Sequence, residues 1–187
     1  VLPDYSEAGR SKARTKKKIV QKAHRKKTIE KTQPRVKAKA VYCVNLASNR
    51  TLMTRNPDRQ LPVASLTKLV TALVVLDKFP LNRKIRVPQR IKRVPKSVVG
   101  LKPGDRVSVK DLLHGLLIGS GNDCAETVAR AYPGGRKRFI AAMNKKARAM
   151  GTRRTRFYTP SGLDRKRVFK KRGKRLVKIT SNVSTAR

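Results

Sequence analysis

Ser65 and Lys68 lie three positions apart at the start of the apolar segment 66–76. A helix places residues i and i+3 on one face, so a helical segment would bring the serine hydroxyl and the lysine amine together. A serine hydroxyl becomes an effective nucleophile when a base takes its proton, and a lysine can be that base when burial lowers its pKa. The pair predicts acyl transfer, with Ser65 as nucleophile and Lys68 as base. The same residues also allow a purely structural interpretation, in which Ser65 caps a helix and Lys68 extends its charge to the surface.

A second polar group lies in the segment Gly119-Ser120-Gly121-Asn122. Glycines flank this serine between two apolar segments, so the side chains of Ser120 and Asn122 can project into a cleft between two helices. There the Ser120 hydroxyl could relay a proton and the Asn122 amide could hold a substrate carbonyl or amide. The alternative is that both residues only mark helix ends, where serine and asparagine are common.

Several helices must position these groups. The segment 66–76 is long enough for about three helical turns but far short of the ~20 residues of a membrane span. Ser108 and Asp111 form a capping-box start for an amphipathic helix before the glycine break. Apolar periodicity resumes from Ala125 to Tyr132, and another helical face runs from about Arg136 until Gly151 ends it.

Strands are predicted around these helices. Residues 41–47 and 51–54 read as a hairpin with its turn at 48–50, and 84–87 and 106–109 are short strand candidates. This arrangement predicts an α+β fold, with a helical cluster against an antiparallel sheet. The domain would comprise residues 40–187 and be preceded by an arm.

The net charge of +39 comes from 49 basic and 10 acidic residues. Residues 1–39 alone hold 14 basic and 3 acidic residues, and we predict a disordered, polybasic arm there. Ten further basic residues and no acid follow Asp164, which predicts a mobile, solvated stretch. Such charge attracts polyanions: nucleic acid, anionic phospholipid, lipopolysaccharide, teichoic acid or the carboxylates of peptidoglycan.

A second hypothesis follows from this charge: the chain binds a polyanion and its acyl-transfer motifs are vestigial. Nucleic acid is the disfavoured partner, because aromatic residues make up only 4% of the chain and tryptophan is absent, which leaves few stacking platforms for bases. No zinc-finger, helix-turn-helix or RNP-like pattern occurs either.

Three other residues with reactive side chains have structural interpretations. Cys43 and Cys124 fall in a predicted strand and a predicted helix, and both are expected to be buried thiols in preference to a disulfide. His114 follows Leu113 in an apolar helix and is predicted to pack in the core. No further metal-ligating residues accompany any of the three in the sequence, so no metal or organic cofactor is implied.

The flanking residues extend the two motifs. Residues 62–73 (PVASLTKLVTAL), 116–123 (LLIGSGND) and 161–164 (SGLD) occur in the order and context of one family. The chain from about residue 40 to 187 resembles the D-alanyl-D-alanine carboxypeptidases. These low-molecular-mass penicillin-binding proteins, the S11 serine peptidases, belong to a superfamily with the serine β-lactamases whose motifs are S-x-x-K, S-x-N and K-T-G.

The resemblance implies a penicillin-binding protein or β-lactamase-like fold and roles for four residues. Ser65 would form the acyl-enzyme with the penultimate D-alanine, Lys68 would be the general base, and Ser120 and Asn122 would be the proton relay and the substrate clamp. It also implies a peptidoglycan pentapeptide as substrate, β-lactams as inhibitors, and a location in the periplasm or on the outer face of the cytoplasmic membrane. The chain itself contains no signal segment. The alternative enzyme is a serine β-lactamase. Class A β-lactamases use an additional Glu to activate the deacylating water, and the only Glu after Ser120 is Glu126, immediately within the next predicted helix. This position disfavours the β-lactamase.

The third motif of the family is missing. No K-T-G follows Ser120, and the candidate Lys171-Arg172-Gly173 lacks the threonine. In the family this motif lies on a strand that lines the cleft, binds the substrate carboxylate and adjoins one donor of the oxyanion hole. Loss of one such donor costs about 10²- to 10³-fold in rate. We therefore expect the 187 residues to be either inactive or an incomplete copy of a longer enzyme.

Overall fold

The computed structural model of the protein describes residues 36–95, 97–171 and 174–187. The described residues fall into two compact units, which divide between Thr54 and Arg55. The predicted polybasic arm, 1–39, lies outside the described residues except for 36–39, which form neither helix nor strand. Its disorder and its boundary at residue 39 stay predictions.

In the first unit a short turn joins two strands, β1 (Val41–Asn45) and β2 (Arg50–Arg55), which pair with each other. The Asn45 side chain accepts a hydrogen bond from the Ser48 N–H, and Asn49 takes a left-handed φ of 50°, which asparagine tolerates well. The predicted hairpin is confirmed. Cys43 is exposed, so the prediction that it is buried was wrong. Successive side chains of a strand point to opposite faces, and the face of β1 that carries Cys43 and Asn45 is exposed to solvent.

The second unit contains four α-helices: α1 (Thr67–Leu76), α2 (Val109–Leu117), α3 (Asn122–Ala131) and α4 (Gly135–Ala149). The predicted capping box holds, because the Ser108 side chain accepts a hydrogen bond from the Asp111 N–H at 3.0 Å. Gly151, with φ of 81°, follows the end of α4 as predicted. Among the described residues, no helix is both long enough and apolar enough to cross a membrane.

Helix α1 contacts each of the other three helices and lies at the centre of the core. The largest core side chains come from all four helices and include Val74, Val75, Leu112, Leu116, Val128, Phe139 and Met143. His114, which was predicted to pack in this core, is exposed instead. It lies on the solvent side of α2, opposite the face that buries leucine, so the apolar composition of the helix misled the prediction.

Three pairs of antiparallel strands complete the unit. Strand β3 (Leu61–Pro62) pairs with β8 (Val183–Ser184), β4 (Lys84–Arg86) with β5 (Arg106–Ser108), and β6 (Arg165–Lys171) with β7 (Lys174–Thr180). The α+β class is confirmed, with small two-stranded sheets among the described residues. The stretch after Asp164 contains the paired strands β6 and β7, and its predicted mobility stays a prediction.

Candidate active site

Ser65 lies in a short 3-10 helix, Ala64–Leu66, that leads directly into α1. Lys68 lies in the first turn of α1, and its Nζ donates to the Ser65 Oγ at 3.0 Å. Only 3% of the Lys68 side chain surface is exposed, so the lysine does not extend its charge to solvent. The Ser65 side chain makes no capping bond to the helix. The i, i+3 spacing thus produces the contact that the sequence predicts.

Ser120 completes a three-way contact. Its Oγ donates to the Ser65 Oγ at 3.1 Å and accepts from the Lys68 Nζ at 3.1 Å. Its backbone φ of 51° is left-handed, a conformation that costs a non-glycine residue about 1–2 kcal/mol. The Gly121 N–H donates to the Gly115 carbonyl at 2.8 Å and closes the loop beneath Ser120. The loop between α2 and α3 therefore holds the hydroxyl toward the other two groups.

Asn122, the first residue of α3, is buried beside this contact. Its Nδ2 donates to the Pro95 carbonyl at 3.3 Å, and its backbone N–H donates to the Ser97 carbonyl at 2.8 Å. The structure thus brings Ser65, Lys68 and Ser120 into mutual contact, and it places Asn122 against the 94–99 loop.

Burial lowers the pKa of the Lys68 ammonium below its ordinary 10.5, because a charged group loses hydration there. The nearby Cys124 thiol acts in the opposite direction when ionised. Burial also raises the pKa of that thiol to about 12, with a further contribution from the Asp123 carboxylate. Cys124 is therefore neutral at ordinary pH, and burial dominates at Lys68. Both cysteines are free thiols.

Two further residues organise the site, and the sequence patterns did not single them out. The buried Asp123 carboxylate accepts from the backbone N–H groups of residues 99, 100 and 101 at 3.1–3.2 Å and so holds the loop beside Asn122. The buried Asn182 donates to the Thr67 Oγ1 at 3.0 Å, next to Lys68. The only signal available was for Asp123, which lies in the family-like segment 116–123.

Gly162 packs against the backbone of the turn that carries Ser65. Its backbone φ is 87°, and a Cβ built there would lie 1.9 Å from the Ala64 carbonyl oxygen. Only glycine permits this approach. Ala64 is itself left-handed, with φ of 41°. Backbone contact with the turn at 162 thus supports the strained residue immediately before Ser65.

An open cleft of about 400 Å³ gives access to the three-way contact, and its lining includes Ser65, Lys68, Leu69, Leu117 and Ser120. Among residues 36–95, 97–171 and 174–187, no three His, Cys, Asp or Glu side chains cluster in a way that could hold a metal ion. The chemistry available to the cleft's own side chains is proton transfer to and from a serine hydroxyl.

Comparison with known proteins identifies the family. A family model for D-alanyl-D-alanine carboxypeptidases matches residues 27–187. A D-alanyl-D-alanine endopeptidase of Escherichia coli is 40% identical over 136 residues, which cover 71% of this chain and 43% of that protein. The D-alanyl-D-alanine carboxypeptidase DacF of Bacillus subtilis is 31% identical over 131 residues, which cover 67% and 34% of the two chains.

Solved structures agree. The D-alanyl-D-alanine carboxypeptidase of Mycobacterium tuberculosis has a TM-score of 0.69 and 35% identity, and the match covers 81% of this chain and 53% of that one. A variant of the Streptomyces K15 DD-transpeptidase has a TM-score of 0.70 and 29% identity, with 82% and 58% covered. The chain spans half or less of the length of the curated relatives it matches. Its sequence and its fold place it in the family of D-alanyl-D-alanine carboxypeptidases.

Proposed function

We propose that the chain carries the nucleophile side of a serine D-alanyl-D-alanine carboxypeptidase site. The observation that supports this most strongly is the contact among the Ser65 Oγ, the Lys68 Nζ and the Ser120 Oγ, with all three distances between 3.0 and 3.1 Å. Family membership adds the reaction class: cleavage of a peptide bond that follows a D-alanine, through a serine ester.

The lowered pKa of Lys68 makes the neutral amine available as a base. In the proposed first step the Ser65 Oγ attacks the carbonyl carbon of the penultimate D-alanine while its proton passes to the Lys68 Nζ. The C–N bond then breaks, and the departing nitrogen receives this proton through the Ser120 hydroxyl. Water later cleaves the serine ester and regenerates Ser65.

We propose that Asn122 holds a carbonyl or amide of the bound peptide. Its position at the start of α3, with its backbone tied to the 94–99 loop, supports a fixed orientation of its side chain relative to Ser120. The carboxylate clamp and the oxyanion donor that K-T-G provides in the family have no counterpart in this sequence. We therefore expect acylation to be slow in the 187-residue chain, by about 10²- to 10³-fold for the missing oxyanion donor alone.

Two reagents test the proposal separately. A fluorophosphonate probe needs an activated serine: the Oγ–P bond forms, fluoride leaves, and the serine proton goes to the base. We expect modification of Ser65, mapped by mass spectrometry, with a rate that rises with pH as Lys68 loses its proton. Fluorescent penicillin tests the whole cleft, and we expect little stable labelling.

The controls are Ser65→Ala, which must abolish phosphonylation, and Ser108→Ala, which removes a serine far from the cleft and should leave phosphonylation intact. An inert Ser65 with the fluorophosphonate would overturn the nucleophile assignment. Rapid, stable penicillin labelling would instead show that the chain needs no K-T-G.

We also propose that the substrate is the peptidoglycan pentapeptide and that β-lactams inhibit the enzyme. The protein would act outside the cytoplasm, in the periplasm or at the outer face of the cytoplasmic membrane. The 14 basic and 3 acidic residues of segment 1–39, a net charge of +11, support a tether to an anionic envelope surface through this segment. Nucleic acid remains the disfavoured polyanion, since the chain contains no tryptophan and only 4 phenylalanines and 4 tyrosines.

Vesicles of anionic phospholipid test the tether. We expect a variant with glutamine at Lys16, Lys17 and Lys18 to bind more weakly, by on the order of 100-fold if each lysine near the surface contributes about 1 kcal/mol. A variant with glutamine at Lys102, Arg106 and Lys110 loses the same charge from the second unit. Equal weakening by both variants would contradict a tether located in the arm.

A further inference from the structure

A second cavity, of about 730 Å³, lies in the second unit. It shares none of its lining residues with the cleft at Ser65. Its wall is formed by the 3-10 helix Gln89–Arg93, helix α3, the start of α4 and the segment from Thr159 to Asp164. The volume lies within the range of small-ligand sites, roughly 300–1,000 Å³.

Four arginines line this cavity: Arg90, Arg93, Arg130 and Arg136. The acidic residues in its lining are Glu126 and Asp164, which leaves two positive charges in excess. Like charges that face one cavity repel one another, and an anion bound between them would reduce that repulsion.

The buried Glu126 carboxylate already pairs with two of the arginines. The Nε of Arg136 donates to both Glu126 oxygens at 2.9 and 3.0 Å, and the Nε of Arg130 lies 3.6 Å from one of them. A guanidinium has five N–H donors, so both arginines keep their terminal NH₂ groups for another acceptor. Glu126 orients these two cations without using all of their donors.

Arg90 and Arg93 are different, because both are exposed and neither makes an ion pair with a carboxylate of the described residues. They extend from the 3-10 helix on another wall of the same cavity. The buried Ser161 adds a hydroxyl to the lining. The cavity thus combines two oriented arginines, two unpaired arginines and a neutral hydrogen-bonding group.

Two contacts connect the residues of this cavity with those around Ser65. Pro95 lines the cavity, and its carbonyl accepts from the Asn122 Nδ2. Ser161 and Leu163 also line it, and Gly162 between them contacts the Ala64 carbonyl, next to Ser65. The cavity lining therefore contacts Asn122 directly and, through the turn at Gly162, the residue that precedes Ser65.

We propose that this arginine cavity binds a carboxylate of the peptide substrate, at a position away from the bond that is cleaved; the identity of the ligand rests on the proposed function. A carboxylate matches the two parallel donors of a guanidinium, and the cluster already binds one carboxylate, that of Glu126, through the Nε of Arg136. The carboxylates of Glu126 and Asp164 favour a singly charged group over a phosphate dianion. The cavity is thus a specificity site for acidic peptides.

Two peptides that differ in one group test the proposal. Both are N-acetyl-γ-D-glutamyl-L-lysyl-D-alanyl-D-alanine, one with a free α-carboxylate on the glutamyl residue and one with the α-carboxamide. We expect the full 187-residue chain, titrated by calorimetry at fixed salt, to bind the carboxylate form about tenfold more tightly, the scale of one charge-assisted hydrogen-bonded contact.

The preference should disappear in the double variant Arg90→Gln, Arg93→Gln. It should persist in Arg59→Gln, Arg153→Gln, which loses the same charge at exposed positions outside the cavity. Equal affinities for the two peptides, no measurable binding of either, or an equal loss of preference in both double variants would overturn the proposal.

Failure of this site and failure of the proposed function give different results. Ser65→Ala removes the nucleophile, and it should retain the preference for the carboxylate peptide. A preference that persists while wild-type Ser65 is inert to fluorophosphonate would leave the arginine site standing without the enzyme assignment. A reactive Ser65 with no preference would remove the arginine site alone.

Discussion

The two faces of α1 differ in a way that its composition does not suggest. One face is buried and carries Thr67, Lys68 and Thr71, with exposures of 1%, 3% and 0%. The opposite face carries Leu66, Leu69, Leu73 and Leu76, which are 37–66% exposed. In this helix the polar residues are enclosed and the leucines are open.

The buried face is enclosed because its polar groups have specific partners. The Thr71 Oγ1 donates to the Pro160 carbonyl at 2.6 Å, and the Thr67 Oγ1 accepts from Asn182. A buried polar group is tolerated when it is hydrogen bonded, and breaking such a contact costs more than the bond itself contributes. The contrast teaches that hydrogen-bond partners, together with the packing of Ala72, Val74 and Val75, determine which side of this helix faces the core.

The largest expected effect is on reactivity. Lys68→Ala should slow the fluorophosphonate reaction of Ser65 by about 10²- to 10⁴-fold, because it removes the general base. Leu76→Ala, on the open face of the same helix, should leave the rate within about twofold of wild type. A time course of labelling, quenched at set times and followed by mass spectrometry, measures the rates of both variants. Similar rates in Lys68→Ala and wild type would show that another group activates Ser65.

A large loss of stability should follow from Asn182→Ala. Asn182 accepts from the Tyr158 and Thr159 N–H groups and donates to the Thr67 Oγ1 and the Thr159 carbonyl. Removing these bonds inside the core should lower the free energy of unfolding by about 3 kcal/mol. Urea denaturation followed by circular dichroism measures it. Leu66→Ala is the control on the open face, and an equal loss in both variants would remove the distinction between the faces.

The pH dependence of stability should show the buried lysine. The folded-state pKa of Lys68 lies below 10.5, so between that value and 10.5 the unfolded chain binds more protons. The free energy of unfolding should therefore gain a contribution that rises with pH through this window, by at most about 1.4 kcal/mol per pH unit. Below the folded pKa the cost of burying the charge is fully present.

Lys68→Met should lack this contribution, since it cannot bind the proton. Urea denaturation of both proteins at a series of pH values up to 10.5 gives the difference. Parallel curves for Lys68→Met and wild type would mean that Lys68 titrates alike in the folded and unfolded chains, and the role of Lys68 as a neutral base would then lose its support.

The smallest effect is expected on the leucine face. Leu73→Gln combined with Leu76→Gln should change the free energy of unfolding by no more than about 0.5 kcal/mol per substitution, because exposed side chains away from special features contribute little. The same urea measurement applies. A loss above about 2 kcal/mol would show that this face is covered in solution.

The sequence predicted the contacts that depend on local spacing. Ser65 and Lys68 meet because one helical turn separates them, and the Ser108 cap forms because its partner is three residues away. The contact of Ser120 with Ser65 and Lys68 cannot be predicted from helix spacing, because more than 50 residues separate them. It was suggested by the order of the motifs together with the resemblance to the family. The roles of these residues in catalysis stay predictions.

What the sequence missed depends on tertiary contacts. Asn182 and Thr67 are far apart in the chain, and no periodic pattern links them. The exposure of Cys43 and of the α1 leucines could not be predicted either, because a strand or helix reveals that it has an apolar face but not whether anything packs on it. The antiparallel pairing of β6 with β7 was not predicted either, because the charge pattern of these residues gives no strand signal.

The contact between Gly162 and the Ala64 carbonyl gives a distant position control over the nucleophile. A single methyl group at 162 would act as a wedge beneath the turn that carries Ser65, since the space there is already filled by main-chain atoms. Such a wedge would displace the reactive oxygen without touching any side chain of the cleft. Position 162 therefore offers a steric off-switch for Ser65 that leaves the serine, the lysine and the relay chemically intact.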